Sequence, residues 1–154
     1  MPPLRRLWDS CVVIGYLAGD QRIYPVCCQI IRQAEQGEIE ILVSQLAKSE
    51  CAFIKGETDE RSEQLIREFF GRDYIVSVNI DDAISSISRR LIRTYREDPR
   101  IKPLDAIHLA TAIQWKIPIL ETIDGPFARF DQLEGNPTVS VRWPQYDGQQ
   151  QFFV

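Results

Sequence analysis

Leu4-Arg5-Arg6-Leu7-Trp8-Asp9-Ser10-Cys11-Val12-Val13-Ile14 is the stretch on which the fold turns. Residues 4–8 read as a short strand, and the apolar residues after Asp9 as the start of a helix or a buried turn. An Asp at that joint stands just past the carboxyl end of a strand. In open α/β sheets that is the rim where ligands bind. Ser10 beside it is small and polar, able to cap the next segment or to hydrogen-bond the carboxylate. The plainer reading is that Asp9 and Ser10 only start a helix. The two readings part on whether other carboxylates reach the same rim.

Downstream, helical and strand patterns alternate. Ile23, Cys27, Ile30, Ile31 and Ala34 recur at helical spacing within 22–36, and Gly37 follows as the C′ residue. Residues 38–43 read as a strand. Ser44 can cap a helix carrying Leu46, Glu50, Cys51, Phe53 and Ile54, which Gly56 ends. A helix over 58–70 and a strand over 74–78 come next. Within 80–95, Ile80, Ile84, Ile87, Leu91 and Tyr95 share one helix face. Arg89, Arg93, Arg96 and Arg100 gather opposite, though Pro99 argues against that last turn. Pro103 fits the first turn of a helix over 103–115, rich in small residues. Residues 117–122 and 138–141 read as strands. This alternation predicts an α/β fold with a mainly parallel sheet. The tail from Trp143 is irregular, with Gly148, a Gln run and a final Phe152-Phe153-Val154.

A chain of 154 residues fits one domain with a sizeable core. Its apolar share of 44% and charged share of 26% are those of a soluble globular protein. The longest apolar run, Cys11 to Ala18, is too short to span a bilayer, and no signal peptide is expected. Cys11, Cys27, Cys28 and Cys51 form no Cys-x-x-Cys pair and lie among apolar residues. They suit free thiols in a reducing, cytoplasmic setting better than a disulfide framework. His108 is the single histidine, which excludes a His-rich zinc site. The net charge of −4 does not favour broad, non-specific nucleic-acid binding but leaves room for a local basic patch.

Other carboxylates are expected at the same rim. Asp124 follows the strand over 117–122, as Asp9 follows the first. Glu50 lies early in the helix after the second strand, and Asp105 in the first turn of the helix before the Asp124 strand. Each of the latter two sits amid mostly apolar neighbours, where desolvation disfavours a lone charge. No Lys or Arg stands in register beside all four. Converging carboxylates without bases fit a hard divalent cation with oxygen ligands. Singly, each has a plainer account: Asp105 as a dipole-favoured acid at a helix start, Glu50 as a solvent-facing one.

Together the four segments resemble the PIN-domain family, which includes the VapC-type toxins. Asp9-Ser10 resembles its opening acid, and Glu50 matches its helix acid. Leu104-Asp105-Ala106-Ile107-His108-Leu109-Ala110-Thr111-Ala112 is similar to its third-acid helix, and Thr122-Ile123-Asp124 with Phe127 to its Thr-x-Asp-x-x-Phe. The resemblance covers about residues 4 to 142; Trp8 departs from it, being bulkier than the apolar residue usual before the first acid. It implies a three-layer α/β/α nuclease domain over 1–142, with 143–154 a tail packed on the domain or a partner. It implies a Mg²⁺- or Mn²⁺-dependent endoribonuclease that hydrolyses single-stranded RNA to a 5′-phosphate and a 3′-hydroxyl, as the toxin of a toxin–antitoxin pair. Asp9, Asp105 and Asp124 would hold the metal, Glu50 its water or a second ion, and Ser10 and Thr122 would orient the carboxylates. A small antitoxin and a homodimer are the implied partners, the antitoxin in a groove lined by residues 12–17, Phe53 and the Glu50 helix, although Val13 and Ile14 read more simply as core. The alternative is a PIN-like RNA- or protein-binding module that has lost catalysis.

Other features have plain accounts. A packed or hydrogen-bonded helix residue suits His108 better than a general base. The arginine face suits solvent better than phosphate, and Gly125-Pro126 is turn chemistry. A haloacid-dehalogenase-type phosphatase needs Asp-x-Asp, and position 11 is Cys. A receiver domain needs an acid pair at the first strand, and a dinucleotide-binding fold needs a Gly-rich loop; neither is present.

Overall fold

In the computed structural model, which describes residues 2–147, the opening stretch is a strand followed at once by a helix. β1 (Leu4–Trp8) gives way to α1 (Ser10–Ala18), with Asp9 as the N-cap residue between them. The chain continues through α2 (Tyr24–Glu35), β2 (Ile39–Ser44), α3 (Gln45–Glu50), α4 (Asp59–Phe70) and β3 (Ile75–Val78). It returns through α5 (Asp82–Thr94), α6 (Pro103–Gln114), β4 (Ile119–Glu121), α7 (Gly125–Ala128) and β5 (Ser140–Arg142). The five strands form one sheet in the order β3-β2-β1-β4-β5. Every pairing is parallel, so the expected mainly parallel sheet is wholly parallel among the described residues.

Successive strand side chains point to opposite faces, and each face has its own core. Trp8, Ile41, Val43 and Ile75 pack with Val12 and Val13 of α1, Ile30 of α2 and Phe69 of α4. Leu7, Leu42, Leu120 and Val141 pack on the other side with Ile84 and Leu91 of α5, Leu109 and Ala110 of α6, and Phe127 of α7. Covering both faces explains the near-continuous apolar runs of the strands. The result is the expected three-layer α/β/α arrangement. Wholly buried Ala106, Ala110 and Ala112 let α6 lie close to its neighbours.

Several elements end elsewhere than their patterns predict. The helix begun at Ser44 stops at Glu50 rather than near Gly56. Beyond it the Ile54 N–H donates to Ser62 Oγ at 3.0 Å, a side-chain acceptor from α4 in place of a helical carbonyl. Ile80 precedes α5 instead of joining its apolar stripe, because Asp81 caps the helix by accepting from the Ile84 N–H at 2.9 Å. Gly125-Pro126 opens the short α7 rather than a simple turn. Arg89, Arg93, Arg96 and Arg100 are exposed, and α5 ends before the last two.

The least expected feature is a buried ion pair in the sheet. Arg6, 1% exposed, donates from Nη1 to Glu121 Oε2 at 2.8 Å, and Glu121 is fully buried. Trp8 Nε1 donates to Glu121 Oε1 at 2.9 Å, and the Gln145 N–H to Glu121 Oε2 at 3.0 Å. Arg6 also donates to the Gln145 carbonyl at 2.8 Å, and both Arg6 and Arg142 reach Asp147. The start of the tail is thereby fastened across β1 and β4. The expectations for Gly148, the Gln run and Phe152-Phe153-Val154 lie outside the described residues. No helix among the described residues is long and apolar enough to cross a membrane.

Candidate active site

β1 and β4 are neighbours whose outgoing connections leave toward opposite faces of the sheet. Such a switch point opens a crevice at the carboxyl ends of the strands. Asp9 stands there after β1, and its N–H donates to the Glu121 carbonyl at 3.0 Å. Thr122, Ile123 and Asp124 come after β4 on the other side.

Asp9 is only 5% exposed, so its oxygens need donors. Oδ1 accepts from the Ser10 N–H at 2.8 Å and lies 3.4 Å from the Ser10 hydroxyl. Oδ2 accepts from Thr122 Oγ1 at 2.8 Å and from Cys11 Sγ at 3.3 Å. Thr122 Oγ1 in turn accepts the Asp124 N–H at 3.1 Å, so one hydroxyl fixes two acids. Burial, then the Asp9 charge, push the Cys11 thiol up to about 12, which keeps it a donor. Trp8 points into the core, stacked on Phe69 with ring centroids 6.1 Å apart. It therefore does not shape the mouth of the site.

Glu50 ends α3, and its Oε1 lies 2.8 Å from His108 Nε2. The same nitrogen is 3.3 Å from Asp9 Oδ1. Asp105, in the first turn of α6, is half-buried. Burial, then the charges of Asp9 and Asp124, push its carboxyl up to about 6. Asp124 stands at the N-terminus of α7 without a side-chain capping bond, and Lys102 Nζ lies 3.8 Å from its Oδ2. The four acids, Ser10, Cys11, Lys102, Pro103 and Leu104 line one cleft of about 510 Å³.

The structure thus brings all four predicted acids into one cleft, with Ser10 and Thr122 in hydrogen-bond contact with Asp9. The reading of His108 as a packed or hydrogen-bonded helix residue holds, while Lys102 and Cys11 were missed as neighbours of the acids. His108 is wholly buried between two of the acids, Lys102 stands beside a third, and Cys11 donates to the first. A lone His one turn after Asp105 on an apolar helix was a signal; nothing in the sequence singled out Lys102.

The donor set fits a hard divalent cation. Its acids supply oxygen ligands, and the raised Asp105 carboxyl marks crowded negative charge that a cation would relieve. A carboxyl oxygen each of Asp9 and Glu50 and a ring nitrogen of His108 lie within 4.8 Å of one another.

Beside the cleft, sharing Cys11 with it, is a groove of about 660 Å³. Ile14, Gly15, Ala18 and Ile123 line it with Asp20, Arg22 and Lys55. The expected lining from Val12 is corrected, because it is wholly buried in the core; Val13 is buried there as its plainer reading has it, whereas Ile14 lines the groove. Tyr16 stacks on Tyr24 with centroids 5.6 Å apart. Phe53 is 72% exposed, outside the groove lining.

The family model for the PIN domain matches residues 7–133. Among solved structures, VapBC2 from Rickettsia felis bound to a DNA fragment from its promoter is similar, with a TM-score of 0.68 at 13% identity over 90% of this chain and 98% of that one. A toxin-antitoxin complex from Klebsiella pneumoniae gives a TM-score of 0.58 at 23% identity, over 80% and 90%. These likenesses concern the fold. Curated protein sequences contain no match.

Proposed function

Because the chain belongs to the PIN-domain family, we propose that it is a Mg²⁺- or Mn²⁺-dependent endoribonuclease acting on single-stranded RNA, the toxin of a toxin–antitoxin pair. The observation that carries this reading is the convergence of Asp9, Glu50, Asp105 and Asp124 on one cleft at the switch point of the sheet. Asp9, Asp105 and Asp124 would hold the cation, and Glu50 the attacking water or a second ion. When bound, the cation supplies a polarised phosphoryl oxygen and a water of lowered pKa. Ser10 and Thr122 keep Asp9 aimed by donating to it. Thr122 also fixes the backbone of Asp124. Lys102, exposed on the cleft wall, gives a phosphodiester a cation to face. Attack by water on phosphorus breaks the bond to O3′, giving a 5′-phosphate and a 3′-hydroxyl.

The groove beside the cleft supports the partner reading. Its apolar floor suits a short amphipathic segment of an antitoxin, and its continuity with the cleft lets an Arg or Lys of that segment reach the acids. A homodimer is proposed from the family resemblance, and a monomer by light scattering at tens of micromolar, roughly where a standard interface holds, would reject it. Residues 1–142 are proposed as the nuclease domain, with 143–147 fastened back through Gln145 and Asp147. Metal-dependent cleavage of single-stranded RNA, lost in Asp9→Asn, tests the activity and separates it from a binding module without catalysis.

A further inference from the structure

We infer that His108 is a positioning residue that holds Glu50 against Asp9 and is not itself a metal ligand. The inference rests on the proposed metal site and extends it. His108 lies on α6 and Glu50 at the end of α3, and the ring is wholly buried between them. Its Nε2 faces Glu50 Oε1 at 2.8 Å and Asp9 Oδ1 at 3.3 Å. An ionised carboxylate only accepts, so the proton between these groups belongs to Nε2. That N–H donates to Glu50 Oε1, with Asp9 Oδ1 close to the same nitrogen but not hydrogen-bonded to it. Without it, two like charges would stand side by side with nothing to set their spacing.

The other ring nitrogen decides between ligand and positioning residue. To coordinate a metal, Nε2 must give up its proton, and a neutral ring then carries it on Nδ1. A metal-bound His nearly always donates that second N–H to a carboxylate, carbonyl or water. Among the described residues, His108 Nδ1 is buried with no hydrogen-bond partner. The pocket therefore favours the proton on Nε2, where it serves Glu50. The cleft keeps an all-oxygen donor set, suited to Mg²⁺ or Mn²⁺. The stop of α3 at Glu50 gains a purpose as well, because the bridge to α6 pins the residue at that helix end.

Because His108 is the only histidine in the chain, ¹⁵N-histidine labelling reads its tautomer without assignment. In the metal-free protein at alkaline pH, where the ring is neutral, the expected spectrum is that of the Nε2-protonated form. Glu50→Ala should shift that N–H signal, and Mg²⁺ should leave the proton on Nε2. In Mn²⁺ titrations, His108→Leu should bind about 10- to 100-fold more weakly than wild type, the range for losing a ligand's supporting partner. His108→Gln, whose amide can still donate to Glu50, should recover most of that loss. An Nδ1-protonated ring, loss of the Nε2 proton on adding Mg²⁺, or unchanged Mn²⁺ affinity in His108→Leu would each overturn the inference. The tautomer arm uses the wild-type ring and does not depend on the Leu variant folding. Absence of Mn²⁺ binding in the wild type would overturn the inference along with the metal reading. Intact Mn²⁺ binding without RNA cleavage would overturn only the nuclease reading.

Discussion

Trp8 and Glu121 face each other across neighbouring parallel strands, and the indole N–H donates to the carboxylate at 2.9 Å. The same carboxylate takes Arg6 at 2.8 Å, so a full ion pair is sealed beneath the sheet rim that carries Asp9 and Asp124. Removing one member leaves the other buried and uncompensated. Glu121→Ala should cost about 3–5 kcal/mol of stability by urea denaturation. A loss below about 1 kcal/mol, the range of an exposed pair, would contradict this account of the pair.

Thr122 serves two acids through one oxygen, donating to Asp9 and accepting from the Asp124 N–H. Thr122→Val keeps the shape and removes both contacts. It should weaken Mn²⁺ binding by about 10- to 100-fold, as loss of a ligand's hydrogen-bonding support does. Wild-type affinity in a folded Thr122→Val protein would show that the hydroxyl does not orient the site.

The two faces of the sheet were legible in the sequence because apolar spacing is local. The Asp9 joint could be read from eleven consecutive residues. The acids could be placed at one rim because strand ends in a parallel sheet share an edge. What escaped depends on long-range partners. Arg6 looks like a second solvent-facing arginine until Glu121, 115 residues on, is seen opposite it. His108 finds Glu50 across 58 residues, and no periodicity records that pairing. The end of α3 was missed for the same reason, since its competitor for the Ile54 N–H is Ser62 on another helix.

Asp105 sets a pH dependence. Its carboxyl titrates at about 6 in the metal-free fold, against an ordinary 3.8. The folded state therefore keeps this proton over a window where the unfolded chain has lost it. The group's contribution to stability is full below 3.8 and is lost as pH rises to about 6. Cation binding has the opposite sign, because it needs the ionised carboxylate, so Mn²⁺ affinity should fall as pH drops through about 6. Melting curves of metal-free wild type and Asp105→Asn across this window give the difference directly. A wild type that gains on the Asn variant as pH rises would contradict the assignment.

A partner that inserts a cation into the cleft must compete with the metal. Raising Mg²⁺ at constant ionic strength should weaken an antitoxin that reaches the acids, and Asp9→Asn should blunt the effect. A partner bound elsewhere would respond only to ordinary salt screening. Equal affinity at low and high Mg²⁺, with RNA cleavage still blocked, would place inhibition outside the metal site.

The central claim is that the four acids form a metal-dependent ribonuclease centre. The most direct measurement is cleavage of a 5′-labelled single-stranded RNA by purified wild type and Asp9→Asn, with chelator and with added Mg²⁺ or Mn²⁺. The account predicts cleavage by wild type only with the metal, products ending in a 3′-hydroxyl, and loss of most activity in Asp9→Asn. Cleavage that persists in chelator, or that survives unchanged in Asp9→Asn, would contradict it.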